Sequence, residues 1–192
     1  DFNSTYKKAV IPRDTVFTVG SYDFGIYYPI EIQINKLNNN ILVLHDVTNA
    51  HPLHKLTTNI LEHKINTVNG LPFITFSLPV YQFSKSYVSD DTPSATGFSK
   101  VYNYNNKFYA CRVYTYKPAA GKWIEMAQTT SDTIYDTGTL TAKLNIEPDM
   151  NRFSVVVPQV YFSNGLMGTK ILVEVYTTQG KLDVDISYLP ST

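Results

Sequence analysis

Four residues within ten positions, His45, Asp46, His51 and His54, are of the types that hold a metal ion, and His51-Pro-Leu-His54 could present two imidazoles to one. A metal centre needs three or four converging ligands, and no cysteine or second motif joins these. A polar loop after a hairpin accounts for the same residues, so no metal and no cofactor is expected. Asp183 and Asp185 stand two apart in LDVDI. On a strand they share one face, and paired carboxylates can act as acid and base when one is kept protonated. Leu182, Val184 and Ile186 take the opposite face, which makes the aspartates its ordinary wet side. Asp90 and Asp91 lie in SDDTPSATG, an exposed loop by composition, without the ligand spacing of a calcium loop. Cys111, the only cysteine, falls mid-strand with no activating partner near it in sequence, and is expected to be buried and inert. No G-x-S-x-G elbow, P-loop or G-x-G-x-x-G following a strand occurs. No catalytic residue is assigned, and the chain is not expected to be an enzyme.

Aromatic side chains are the remaining candidates. Tyr102, Tyr104, Phe108, Tyr109, Tyr114 and Tyr116 cluster in one stretch, and Trp123 follows. Rings on a sheet can stack on sugars or bases, and they serve equally as core and as interface anchors.

The elements that must position these residues read as strands. Phe153 to Ser187 is rich in Val, Ile, Tyr and Thr and reads as three strands, cut by Pro158, by Ser163-Asn164-Gly165 and by Gln179-Gly180. Residues 1–9 read as a polar lead-in, and Val10 to Val19 as a short strand on each side of a Pro12-Arg13-Asp14 turn. Ile30, Ile32 and Ile34 alternate with Glu31 and Gln33, and Ile41 to His45 returns after Asn38-Asn39-Asn40, which predicts a hairpin. His51 to Gly70 fits helix or strand equally, and Leu71 to Val88 reads as a strand bent at Pro79. A second hairpin is expected around Asn105-Asn106, joining Phe98–Tyr104 to Lys107–Tyr116. On its second arm Phe108, Ala110, Arg112, Tyr114 and Tyr116 would share one face, and Tyr109, Cys111, Val113 and Thr115 the other. Turns are expected at Lys117–Lys122 and Glu147–Asn151, with strands at Trp123–Thr129 and Leu140–Ile146. The count is roughly ten to twelve short strands with little helix, an all-β antiparallel sandwich or barrel. A single β domain over residues 1–192 is expected, with a possible soft boundary near 89–97.

At 192 residues and 43% hydrophobic content the chain can bury a sizeable core. Charged residues make up 17%, against about 25% in an ordinary soluble domain. Asn, Thr, Ser and 15 tyrosines supply the polarity instead. Such a surface suits lasting contact with other protein, since interface cores favour aromatics and deplete charge. Zero net charge without a basic run disfavours nucleic acid and anionic membranes as partners. No apolar run approaches the roughly 20 residues of a membrane helix, and no signal-peptide pattern occurs. The chain starts at Asp1 rather than Met, which reads as an excised piece of a longer polypeptide.

Two stretches resemble a known family. IPRDTVF at Ile11 to Phe17 resembles the short entry strand of baseplate-J-like proteins of contractile phage tails, whose usual pattern is Pro-x-Gly-Thr. Asp14 stands where that family usually has glycine. VPQVYFSNGLMGTKILVEVYTTQG at Val157 to Gly180 is similar to the β-rich part of baseplate wedge proteins, where a strand, a glycine turn and a V-x-V-Y-x-T-x-G ending recur. The resemblance covers about a fifth of the chain. It implies a virion structural role, one β domain of a tail baseplate wedge subunit, assembled in the host cytoplasm. That role implies contact with copies of itself and with other baseplate proteins, and no catalytic residue is carried over. The alternative is a carbohydrate- or receptor-binding β-sandwich, of the tail-fibre or lectin kind, using Tyr102, Tyr104 or Trp123. A third reading is a hydrolase built on Asp183 or Asp185.

Overall fold

The Ile30–Ile34 alternation makes a strand with one dry face, and the asparagines after it tolerate the backbone that a tight return requires. In the computed structural model this hairpin forms, with Ile30–Ile34 antiparallel to Ile41–His45 and Asn39 at φ 60°. The structure describes residues 2–3, 8–26, 28–45, 59–78, 80–94, 96–132 and 138–182. Among the described residues the chain is all-β, with antiparallel sheets apart from one parallel pairing, Ala127–Thr129 with Thr141–Lys143, and one helical turn. The strands of the first part are β1 (Phe2–Asn3), β2 (Lys8–Ile11), β3 (Val16–Val19), β4 (Tyr22–Gly25), β5 (Ile30–Ile34), β6 (Ile41–His45), β7 (Asn59–His63), β8 (Asn66–Val68) and β9 (Leu71–Phe73). Those of the second are β10 (Ser84–Asp91), β11 (Phe98–Asn103), β12 (Lys107–Lys117), β13 (Lys122–Glu125), β14 (Ala127–Thr129), β15 (Thr141–Glu147), β16 (Arg152–Val157) and β17 (Lys170–Thr178), with α1 (Val160–Ser163) between the last two.

Three sheets follow, ordered β1-β2-β5-β6-β7, β10-β17-β12-β13 and β11-β16-β15-β14, with β3–β4 and β8–β9 as separate hairpins. The second and third sheets enclose the main core. Cys111, Val113, Ile171, Val173 and Val175 of one face Phe98, Leu144, Phe153, Val155 and Val157 of the other. A smaller core joins the first sheet to the outer side of the second, where Ile26, Tyr28, Ile30 and Val43 meet Phe83, Ala110 and Tyr176. The second sheet is therefore covered on both sides, and its strands β12 and β17 carry long apolar runs for that reason.

Several expectations change. There is no hairpin at Asn105-Asn106: β11 pairs with β16 and β12 with β17, so this corner (Asn106 at φ 62°) crosses between sheets. Strands stacked face to face show the same period as strands paired edge to edge, which is why sequence pattern does not separate the two. The expected faces of β12 also exchange at one end. A bulge between Phe108 and Ala110 turns Phe108 into the main core with Cys111, and sets Tyr109 beside Ala110 in the smaller one. Trp123–Thr129 is two strands, because buried Met126 carries the chain from β13 in one sheet to β14 in another.

The middle strand expected after Pro158 is instead the single turn α1. It swings Tyr161 into the main core, where its hydroxyl donates to the Thr139 carbonyl at 2.9 Å. The lead-in is partly ordered into sheet, since Phe2 and Asn3 pair with Ala9 and Lys8. Ser89–Asp91, expected in a loop, continues β10 and pairs with Val173, Leu172 and Ile171. Leu71–Val88 contains two strand segments, β9 and the start of β10, separated by residues 74–78 without ladder bonds and by residues 80–83, where Tyr81 bridges Gly25; Pro79 lies outside the described residues. The third expected strand beyond Gly180 also lies outside the described residues. Seventeen strands are described where ten to twelve were expected, and four of them, β1, β8, β9 and β14, are two or three residues long and too short to show a period.

The ambiguous His51–Gly70 stretch is strand where described. β7 pairs with β6, and β8 returns as β9 through Asn69 at φ 52° and Gly70 at φ 80°. Positive φ at both central residues matches the hairpin turn that Asn-Gly favours. Gly70→Ala is expected to lower stability by about 1 kcal/mol through backbone strain alone, because nothing lies within 4 Å of a Cβ there. Urea denaturation measures it, and an unchanged midpoint would contradict the assignment.

Candidate functional site

The register of the second sheet gathers charge on its outer face. Arg112 stands opposite Glu174, Tyr114 opposite Glu125, and Lys85 opposite Tyr176. Over them lies the turn after β2, tightened by Thr15 N–H and Thr15 Oγ1 donating to the Pro12 carbonyl at 3.3 and 2.7 Å. Asp14 N–H donates to Ile26 O at 3.1 Å, with Asp14 at φ 64°. The turn thereby places Arg13 and Asp14 against the sheet.

The contacts form one network. Arg13 Nη2 donates to the Tyr114 hydroxyl at 2.7 Å, and that hydroxyl donates to Glu174 Oε2 at 3.2 Å. Arg13 also approaches Glu125 at 3.5 Å and Glu174 at 3.7 Å. Lys85 Nζ reaches Asp14 at 3.1 Å and Glu174 at 2.8 Å, and Arg112 Nη1 reaches Glu125 at 2.7 Å. The Tyr176 hydroxyl lies 3.0 Å from Asp14 Oδ2 and 2.9 Å from Glu174 Oε2. With a single proton, it donates fully to one carboxylate at a time, and Lys85 holds both. Arg13, Lys85 and Arg112 balance Asp14, Glu125 and Glu174, so the cluster is formally neutral.

Burial opposes the charge of Glu174, but hydrogen bonds from Lys85 and Tyr176 and the charges of Lys85 and Arg13 outweigh it and hold its carboxyl below the usual range. Burial likewise opposes the charge of Lys85, and Glu174 and Asp14 outweigh it and raise its pKa. The Tyr176 phenol is pushed up by burial and then by Asp14 and Glu174. The Tyr114 phenol is pushed up by burial and then by Glu125. All four groups move away from neutrality, whereas a general acid or base works best with a pKa near the operating pH. Chemically, the arrangement ties the Pro12–Thr15 turn to the sheet.

The residues singled out in sequence lie elsewhere. His45 is buried under the first sheet, edge-on to Tyr28 at 5.7 Å, and burial lowers its pKa. Asp46, His51, His54, Asp183 and Asp185 fall outside the described residues. Among the described residues no three His, Cys, Asp or Glu converge as a metal site. Asp90 pairs with Leu172 in β10, and Asp91 accepts from Lys100 and from the Tyr102 hydroxyl at 2.9 Å. Cys111 is fully buried, and burial pushes its thiol up, as expected for an inert cysteine.

The aromatic platform is corrected. Tyr102 and Tyr104 belong to the main core, where Tyr102 stacks on Phe153 at 5.3 Å and Tyr104 tilts against Phe108 at 5.4 Å. Neither ring is open to a sugar, because the Asn105-Asn106 corner folds both between the sheets. Tyr109 stacks on Phe83 at 5.3 Å, and Tyr114 is buried in the charged cluster. Trp123 is partly exposed on β13, beside Tyr116 at 5.3 Å.

The charged cluster was not singled out in sequence, although it left a trace there. Arg112 interrupts YACRVY and Glu174 interrupts ILVEVY, each a lone charge inside a strand apolar on both faces. Charges in such runs must be paired, and their partners sit far off in sequence, on β10, on β13 and in the turn after β2. No protein-family model, curated protein or solved structure matches this chain.

Proposed function

We propose that this chain is a structural β domain of a phage virion, part of a tail baseplate wedge subunit that contacts copies of itself and other baseplate proteins and catalyses no reaction. The observation that carries the reading is that charge is drawn into an internal cluster on the second sheet while large apolar side chains stay exposed. The largest cluster of charges found among the described residues is neutral and internally paired, while Leu37 after β5, Ile60 on β7, and Val68 and Leu71 on the β8–β9 hairpin are exposed. Charge spent on internal ties and apolar surface left outside is a disposition that suits assembly. The backbone of Asp14 adds to it: φ 64° favours glycine, and glycine is what the resembled entry strand usually carries there.

Quantitative mass spectrometry of purified tail particles from the encoding virus tests the reading. The expected result is the full-length protein in fixed stoichiometry with other baseplate components. Recovery only as free monomer, absent from particles, would overturn it. Trp123 beside Tyr116 favours the second reading, a glycan- or receptor-binding module, since a partly exposed indole can stack on a sugar ring. Glycan-array signal that disappears in Trp123→Ala would support this second reading, and signal at background would remove it.

A further inference from the structure

The first sheet turns one dry face toward the chain that follows it. Residues 74–78 lie across that face, with Ile74, Phe76 and Leu78 packed against it and Thr75 and Ser77 outward. Beside this strip a groove of about 280 Å³ remains, lined by Ile32, Ile41, Ile65, Pro72, Phe73 and Ile74. None of these residues is charged. The β8–β9 hairpin stands at its edge. Val68 and Leu71 are direct partners in that hairpin, and Phe73 follows Leu71 by two, so all three share one side. All three are exposed, Leu71 to 71%. A projecting apolar ridge and an apolar recess thus lie side by side on one patch, meeting at Phe73.

We propose that this face is where two copies of the chain pair, each placing Leu71 in the groove of the other. A two-fold contact must be self-complementary, and ridge and recess side by side on one patch satisfy that condition. The recess has room for one large aliphatic side chain, and Leu71 is of that kind. Ile34, Ile65, Val68, Leu71 and Phe73 together expose apolar surface on the order of several hundred Å², approaching the roughly 800 Å² per partner of a standard interface. With zero net charge, two copies do not repel. A basic or acidic partner would find no charge in the groove to pair with. This inference rests on the assembly role proposed above and names the surface that serves it.

Sedimentation velocity from about 1 to 100 µM tests it on wild type, Leu71→Asp and Val101→Glu, the last at an exposed position on β11 of another sheet. Wild type and Val101→Glu are expected to show the same concentration-dependent dimer, and Leu71→Asp to weaken pairing by about 30-fold or more. Because Leu71 is so exposed, Leu71→Asp should keep the wild-type circular dichroism, and its melting curve should match wild type at concentrations where both are monomeric. A wild type that stays monomeric at the top concentration overturns the proposal. So does a Leu71→Asp protein that dimerises as wild type does, and that outcome leaves the assembly role standing on a different surface. Absence from tail particles would remove the role itself.

Discussion

Gly168→Ala is expected to lower the free energy of unfolding by about 3 kcal/mol or more, among the larger effects a single methyl group can have. A Cβ at this position would lie 1.8 Å from the Tyr116 carbonyl oxygen and 2.7 Å from Thr115 Oγ1. Neither atom can step aside. The Tyr116 carbonyl accepts from Thr169 N–H at 3.0 Å, and Thr115 Oγ1 donates to the Lys170 carbonyl at 3.2 Å while accepting from Gly168 N–H at 2.9 Å. Tyr116 and Thr115 are also in register with Lys170 and Ile171 at the start of β17. Relief of the clash therefore means moving the β12–β17 pair, which lies inside both cores. Gly70→Ala provides the contrast, with open space around the new methyl and only the backbone angle to oppose it. Urea denaturation of the two variants should rank them clearly. A Gly168→Ala loss no larger than that of Gly70→Ala would show that the segment before β17 retreats at little cost.

Glu174→Ala is expected to cost about 3 kcal/mol, toward the lower end for breaking a buried ion pair, since Arg13 and Lys85 remain partly exposed. The Glu174 side chain is 13% exposed and contacts Lys85, Tyr176, Tyr114 and Arg13 at once. Its loss leaves three cations, Arg13, Lys85 and Arg112, facing Asp14 and Glu125 alone. A pH signature separates this from simple loss of packing. The Glu174 pKa is lowered from its ordinary value of 4.5, so the unfolded chain binds the proton first as pH falls. Its contribution is complete above that ordinary value and is lost as pH falls through the folded value beneath it. For Lys85 the pKa is raised from 10.5, so its contribution is complete below that value and is lost as pH rises through the folded value above it. Wild-type stability should thus fall off at both ends, and Glu174→Ala should flatten the acid limb and weaken the alkaline one. Equal acid limbs in the two proteins would mean that Glu174 contributes nothing electrostatic.

Much of the strand content was legible because period-two alternation and turn residues are local signals. Ile30–Ile34 with its asparagine turn formed as read, and so did the turns at Lys117–Lys122 and Glu147–Asn151, each a short 3-10 turn ending in a left-handed residue. What failed was pairing. Phe98–Asn103 and Lys107–Lys117 were each correctly read as strands, yet they stand in different sheets. One inserted residue at the bulge exchanged the faces of Phe108 and Tyr109, an offset no alternation count reveals when both faces are apolar. QVYFS has the composition of a strand, but a single turn there lets Tyr161 close the end of the core.

The charged cluster shows the same division. Residue types alone determined that Arg112 and Glu174 need partners, since a lone charge in an apolar strand cannot be left unpaired. Composition likewise determined the low share of charge, but not where the tyrosines go, since Tyr28, Tyr102, Tyr104, Tyr114, Tyr161 and Tyr176 are buried. Only the tertiary structure decided which partners meet, because Arg13 and Asp14 reach the sheet from 71 or more residues away only once the first sheet packs on the second. Loop closure over such separations carries little sequence signal, and its outcome is set by which apolar faces find each other. The same packing decided that Tyr102 and Tyr104 are core rather than platform, and left Leu71 and its groove facing outward.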